Sequence, residues 1–432
     1  MKTWVCTLMA ASILATDTRA QSPTVPPAQG ALSMDRLARI GAWASKEIAQ
    51  NRLAGGIGLI ARRGKIAYFE TYGMADKEAG RPMTKDTIFR IFSMTKAVTG
   101  VAVMMLYEEG KFALTDPVSR YLPEFASMKV AIEKPEPSSG KNVLSHIVPA
   151  ERPITILDLL RHTSGLNYTG PHDEKGDLVY QKAGLAPTGP PEGSLADFVK
   201  KLAQVPLVHQ PGTIWDYSLS IDVLGRLVEV VSGQSLDQFF AERILNPLKM
   251  SDTAFFVPES KWGRLAALYT LNPDGSIKRA SDAEQQFGKR KPSVLMGGAG
   301  LTSTASDYAR FVQMLLNGGE LDGVQILSPK TVELMRADVL GDLPKVATAG
   351  LPPPGYGFGL TFAVNRGPAQ TGSIVSRGEY NWGGAAGTSF WIDPQEQMVG
   401  VWMMQTMLDL AKGNRFQQLA YQAIVDFENT RR

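Results

Sequence analysis

Phe92-Ser93-Met94-Thr95-Lys96-Ala97-Val98 opens a long helical pattern, 91–109, that stops at Gly110. Ser93 stands at the start of this predicted helix, with Lys96 three residues on. Positions three apart share a helix face, so the ammonium and the hydroxyl can meet. The helix N-terminus adds positive potential and free N–H groups beside Ser93. Both features favour ionisation of the serine hydroxyl and a nucleophilic oxygen. Ser-x-x-Lys alone is a weak pattern, because a capping serine followed by a solvated lysine reads the same way. The neighbours sharpen it. Ala97, Val98, Val101, Ala102 and Val103 make this an unusually apolar helix for a solvated charge. Lys96 is then either an amphipathic-edge residue or a lysine buried for a purpose.

Upstream of this stretch, Ser33 can cap a helix carrying Leu37, Ile40, Ala44 and Ile48 on one face. The apolar runs 56–61 and 65–72 flank Arg63-Gly64 and predict a β-hairpin. Downstream, 119–193 is rich in Pro and Gly and reads as short helical segments and turns, with a polar stretch at 134–141. Helical signals follow at 194–204, 220–231, 235–244, 304–316 and 328–337, and a last one at 414–428. Strand signals return at 356–364, 388–392 and 398–404. Strands thus lie at both ends of the chain and helices between them. The fold class expected is α/β in the α+β sense: one antiparallel β-sheet flanked by terminal helices, with a large mainly helical region inserted. The sheet domain is assigned to 33–92 and 292–432 and the helical domain to 93–291, with the active site at their interface.

The 432 residues exceed a typical single domain, and 44% apolar with 20% charged residues is ordinary globular composition. A net charge of +3, from 45 basic and 42 acidic residues, points to neither nucleic acid nor an anionic membrane as partner. Residues 1–20 read as a cleaved export signal. Lys2 gives a positive start, 4–15 is apolar but too short to span a bilayer, and Thr18-Arg19-Ala20 offers a cleavage site. Gln21 is then the mature start, 21–32 a linker, and the enzyme periplasmic or secreted; the other reading is an uncleaved anchor. Cys6 is the only cysteine. The mature chain would have no thiol nucleophile, disulfide or cysteine-bound metal, which suits an oxidising compartment.

Two further segments carry chemistry. Trp215-Asp216-Tyr217-Ser218-Leu219 follows the turn Pro211-Gly212 and precedes a helix. Asn381-Trp382-Gly383-Gly384-Ala385-Ala386-Gly387 leads into a strand, where glycines permit close approach by a ligand. By itself the first is a packed aromatic and the second a flexible loop. No Gly-x-Ser-x-Gly is present in the sequence, so an α/β-hydrolase nucleophile elbow is not expected. No His-Glu-x-x-His, Walker or dinucleotide-binding pattern is present either, so no cofactor or metal is expected. His162 is read as structural, and His146, His172 and His209 as solvated loop residues.

These elements, in this order, resemble the serine β-lactamase-like superfamily, which includes DD-peptidases, class C β-lactamases and the family VIII carboxylesterases. Further segments carry the resemblance: Asp86-Thr87-Ile88-Phe89-Arg90, Leu159-Leu160-Arg161-His162-Thr163-Ser164-Gly165-Leu166, Gln210-Pro211-Gly212 and Gly298-Ala299-Gly300-Leu301-Thr302-Ser303-Thr304. The resemblance implies Ser93 as acylated nucleophile, with Lys96 and Tyr217 as general base and acid; which of the two is the base stays open. It implies an oxyanion hole from the backbone N–H groups of Ser93 and Ala385. Two departures bear on the substrate. Trp382-Gly383-Gly384 stands where a lactamase has a cation, and Leu219 where it has an amide. Both make the pocket more apolar. Ser-Met-Thr-Lys, Tyr-Ser-Leu and Trp-Gly-Gly together look like the family VIII esterases, so a small-molecule ester is the expected substrate. Arg377 could replace the missing cation, which keeps a β-lactam or D-amino-acid peptide as the alternative. A catalytically silent relative is disfavoured by the intact Ser93, Lys96 and Tyr217. Acyl-pocket residues are expected from 119–193 and from the loop around 340–355.

Overall fold

The computed structural model describes residues 32–185, 193–346 and 352–425. The expected export signal lies outside the described residues. So do the linker apart from Leu32, and 347–351 of the loop around 340–355.

One eight-stranded antiparallel sheet organises the molecule. Its strands are β1 (Gly55–Arg62), β2 (Lys65–Asp76), β3 (Arg81–Pro82), β4 (Tyr356–Phe358), β5 (Ala363–Asn365), β6 (Tyr380–Gly383), β7 (Ser389–Asp393) and β8 (Met398–Met403), in the order β4-β5-β6-β7-β8-β1-β2-β3. The two ends of the chain meet where β1 pairs with β8, from Ile57 opposite Met403 to Arg62 opposite Met398. Successive side chains of a strand point to opposite faces, and β8 follows that rule. Met398 and Trp402 join a cluster with Leu37, Ile40 and Phe416, under helices α1 (Met34–Ala49) and α5 (Ala411–Tyr421). Val399, Val401 and Met403 face the main core. Glycines on the helix-facing side make room for rings. A β-carbon at Gly58 would stand 2.6 Å from Phe416, and one at Gly400 2.0 Å from Trp391.

The other face of the sheet carries helix α4 (Ala305–Leu316) and, beyond it, the helices of the inserted region. At their centre runs α2 (Thr95–Glu108), buried from Thr95 to Leu106, packed against α3 (Ser220–Ser232). A helix apolar all round belongs in a core. Ser33, Ser194, Thr304 and Ser328 cap helices as their residue type suggests, each accepting a backbone N–H.

Several expectations need correction. The polar stretch 134–141 is the turn region of a hairpin, Lys129–Pro135 with Asn142–Pro149. Much of that hairpin is exposed, so no clean apolar alternation announced it. His146 therefore lies in a strand. His172 meets Glu133 and His209 meets Asp216, both at 3.2 Å, so neither is simply solvated. The predicted strand 356–364 is two strands. Gly359 N–H donates to the Phe362 carbonyl at 2.8 Å, turning the chain between them. The last helix starts earlier and ends at Tyr421. Among the described residues no helix is long and apolar enough to cross a membrane.

Candidate active site

Ser93 does not stand in the α-helix itself. Ile88–Arg90 ends in a 3₁₀ turn, Phe92–Met94, and α2 begins at Thr95. Phe92 has φ of 42°, a left-handed conformation costly for a bulky residue. That turn leaves Ser93 half-buried while its neighbours Ile91 and Met94 are buried.

Lys96 is sealed inside, 1% exposed. Its Nζ lies 3.2 Å from Ser93 Oγ, 2.9 Å from the Tyr168 hydroxyl and 2.7 Å from the Gly298 carbonyl oxygen. Three acceptors match the three donors of an ammonium. Tyr217 completes the group: Lys96 Nζ stands 4.7 Å from the centre of its ring. The indole N–H of Trp382 donates to the Tyr217 hydroxyl at 3.2 Å. The Tyr217 ring is held by aromatic neighbours, His162 at 5.0 Å, Tyr168 at 5.2 Å and Trp382 at 5.2 Å. Burial, with Lys96 close by, holds His162 well below the usual imidazole range, so it is neutral at pH 7. Its Nδ1 lies 2.9 Å from Ser218 Oγ. Burial keeps the Tyr168 phenol protonated well beyond an ordinary tyrosine, and Tyr217 and Asp222 beside it add to the effect.

The glycine-rich segment reaches the same place. A β-carbon at Gly384 would stand 2.3 Å from the Ile91 carbonyl oxygen, so this backbone crosses the nucleophile turn where glycine alone fits. Thr388 Oγ1 donates to that same carbonyl at 3.4 Å. Ala385, next in the chain, is half-buried and its carbonyl accepts the Leu408 N–H at 2.6 Å. Gly383 ends β6. Leu219 is 1% exposed and packed in the core at the head of α3, so its side chain does not face solvent. Arg377 is exposed and lies beside Gly367, at the end of β6 away from Gly383. It does not replace the missing cation.

Ser93, Lys96, Tyr217 and Trp382 are therefore brought together, with Gly384 and Ala385 alongside. Tyr168, the Gly298 carbonyl and the buried Asp222 that holds the Gly298 N–H receive no role from the sequence, although Gly298 opens one of the quoted segments. Tyr168 stands two residues after the segment ending at Leu166, and Asp222 is an acid between the apolar Ile221 and Val223, so both leave a trace. Among the described residues no cluster of His, Cys, Asp or Glu could hold a metal ion.

Comparison with known proteins identifies the family. The family model described as Beta-lactamase matches residues 40–422. Protein Rv1367c of Mycobacterium tuberculosis is 38% identical over 366 residues, covering 83% of this chain and 87% of its own. Esterase EstB of Burkholderia gladioli is 33% identical over 378 residues, covering 82% of this chain and 87% of its own. The solved structure of EstCE1, a hydrolase with promiscuous acyltransferase activity, superposes with a TM-score of 0.75. It is 29% identical and covers 90% of this chain and 98% of that one. With an antiparallel sheet, flanking helices and a serine beside a buried lysine, the chain is a serine hydrolase that belongs to the Beta-lactamase family.

Proposed function

We propose that the protein is a carboxylesterase that cleaves short-acyl esters through an acyl-enzyme on Ser93. Ser93 Oγ bonds to the acyl carbon while its proton passes to Lys96 or Tyr217. The backbone N–H groups of Ser93 and Ala385 receive the developing oxyanion. The ester C–O bond then breaks, and Tyr217 hands a proton to the departing alcohol oxygen. In the second half a water oxygen adds to the acyl carbon, its proton goes to the same pair, and Ser93 recovers a proton as the acid leaves.

One observation carries the proposal: the buried Lys96 amine lies 3.2 Å from Ser93 Oγ, with the Tyr217 ring 4.7 Å away. The Gly298 carbonyl can only accept, so it pins one N–H of that amine. When the amine is neutral, its lone pair faces hydroxyls that can donate, Ser93 and Tyr168. The preference for esters rests on the rest of the site. Trp382 puts an indole where a lactamase would offer a cation and commits its N–H to Tyr217. Leu219 supplies no amide, and Arg377 is remote. EstB, an esterase among the relatives, supports the same choice.

The decisive assay compares p-nitrophenyl acetate and butyrate with a chromogenic cephalosporin, with Ser93→Ala as blank. Ester turnover is expected to fall at least about 10³-fold in Ser93→Ala, with negligible cephalosporin turnover by the native enzyme. Good cephalosporin turnover with negligible ester turnover would sink the proposal in favour of a lactamase or peptidase.

A further inference from the structure

Asp222 is a buried carboxylate to which the steps above give no task. It lies in the first turn of α3 and is 1% exposed. Such a group is costly unless donors or opposite charge compensate it. Its Oδ1 accepts the Gly298 N–H at 2.7 Å, and Gly298 presents its own carbonyl to Lys96 Nζ at 2.7 Å. The two glycines here are required by the packing. A β-carbon at Gly298 would stand 2.7 Å from Asp222 Oδ2, and one at Gly297 2.9 Å from the Ile221 carbonyl oxygen. On its other side this segment is tied to α2. Thr99 Oγ1 donates to the Gly297 carbonyl at 2.6 Å, and the Leu301 N–H donates to Thr95 Oγ1 at 3.1 Å. Asp222 therefore grips from α3 the backbone whose carbonyl grips Lys96.

The groups around Lys96 are the Tyr168 phenol from the loop after Leu166, Tyr217 and the neutral His162 beside it, and the Asp222 carboxylate from α3. Burial pushes the Asp222 carboxyl up to about 6, against the opposing pull of Lys96 and the Gly298 N–H.

We infer that Asp222 is a positioning residue: through the Gly298 backbone it aims the Lys96 amine at Ser93. The inference deepens the esterase reading and rests on it. Asp222→Asn keeps an acceptor for the Gly298 N–H but removes the charge, whereas Asp222→Ala removes both. The measurements are kcat and KM on p-nitrophenyl acetate and the rate of Ser93 labelling by a fluorophosphonate, with circular dichroism as the check on folding.

Asp222→Asn is expected to fold, to leave KM within about threefold and to keep kcat within about tenfold, because the Gly298 N–H retains its acceptor. Folded Asp222→Ala is expected to lose about 100-fold in kcat with little change in KM. A folded Asp222→Asn that loses about 100-fold in kcat overturns the inference even where Asp222→Ala fails to fold. So does a folded Asp222→Ala with native kcat. If the native enzyme neither cleaves the ester nor takes the label, the esterase reading itself has failed, and that result is distinct from the others.

Discussion

Trp382 shows how a single side chain acquires a second task. Its ring packs between Tyr217 at 5.2 Å and Phe358 at 5.4 Å, and its N–H reaches the Tyr217 hydroxyl. It therefore removes a cation from the pocket and also fixes the phenol that is proposed to move protons. A neutral hydrogen bond is worth about 1 kcal/mol net. Trp382→Phe keeps an aromatic ring and deletes the donor, so kcat on p-nitrophenyl acetate should fall about fivefold to tenfold with little change in KM. A native kcat in that variant would show that the bond does not matter to turnover. At this scale the sequence was a good guide for Ser93 and Lys96, because residues three apart stay neighbours where a 3₁₀ turn leads into an α-helix. It was a poor guide for Tyr168 and Gly298, which reach Lys96 from separate elements, and for Asp222, which reaches Gly298 from a third.

Helix α2 is the element on which the site hangs, and its packing leaves no slack around Gly100. Alanine in a helix interior is normally more stable than glycine by roughly 1 kcal/mol. Here a β-carbon would stand 2.5 Å from Thr361 Oγ1. Thr361 is buried, stiff at its branched β-carbon, and held at φ of 72° while its N–H donates to the Leu160 carbonyl at 3.1 Å. It has little freedom to retreat. Overpacking of this kind costs about 1–3 kcal/mol, so Gly100→Ala should lower stability by about 1–2 kcal/mol in urea unfolding. A raised urea midpoint would contradict this account. Elements with strong periodicity and caps, such as α1, α3 and α4, were legible in the sequence. The hairpin Lys129–Pro135 with Asn142–Pro149 was not. It owes its form to backbone pairing and to Val130 bridging Leu207, while apolar residues such as Ile132 and Ile147 are exposed and set no strict alternation.

Across the whole molecule, Glu379 ties the sheet to the C-terminal helix. It is fully buried and accepts from Asn381 Nδ2 at 3.0 and 3.1 Å and from Gln417 Nε2 at 2.9 Å. Burial, with Asp393 adding its charge, pushes its carboxyl up to about 8. The folded protein thus holds a proton that the unfolded chain has released above the ordinary glutamate range. Stability from this group is full at acid pH and is lost as pH rises through about 8. A shift of this size is worth on the order of a few kcal/mol. The melting temperature should therefore fall between pH 5 and 8.5, roughly the span of that linkage. Glu379→Gln should flatten the fall and melt higher than the native protein at the alkaline end. Asp222, raised to about 6 for the same reason, adds a smaller dependence of the same sign that persists in the variant. Equal slopes in calorimetry on the native protein and Glu379→Gln would refute the assignment. By itself the sequence determined what is local or periodic: the Ser93–Lys96 pair, the capped amphipathic helices, the β1–β2 hairpin, and strands at both ends that need a common sheet. Only the tertiary structure decided which distant groups share the Lys96 amine, that Trp382 serves Tyr217, that Arg377 stands apart, and that Asp222 and Glu379 are buried as acids. Short-range periodicity is written along the chain. The environment of a buried charge is made by elements far apart in sequence, and it exists once they pack.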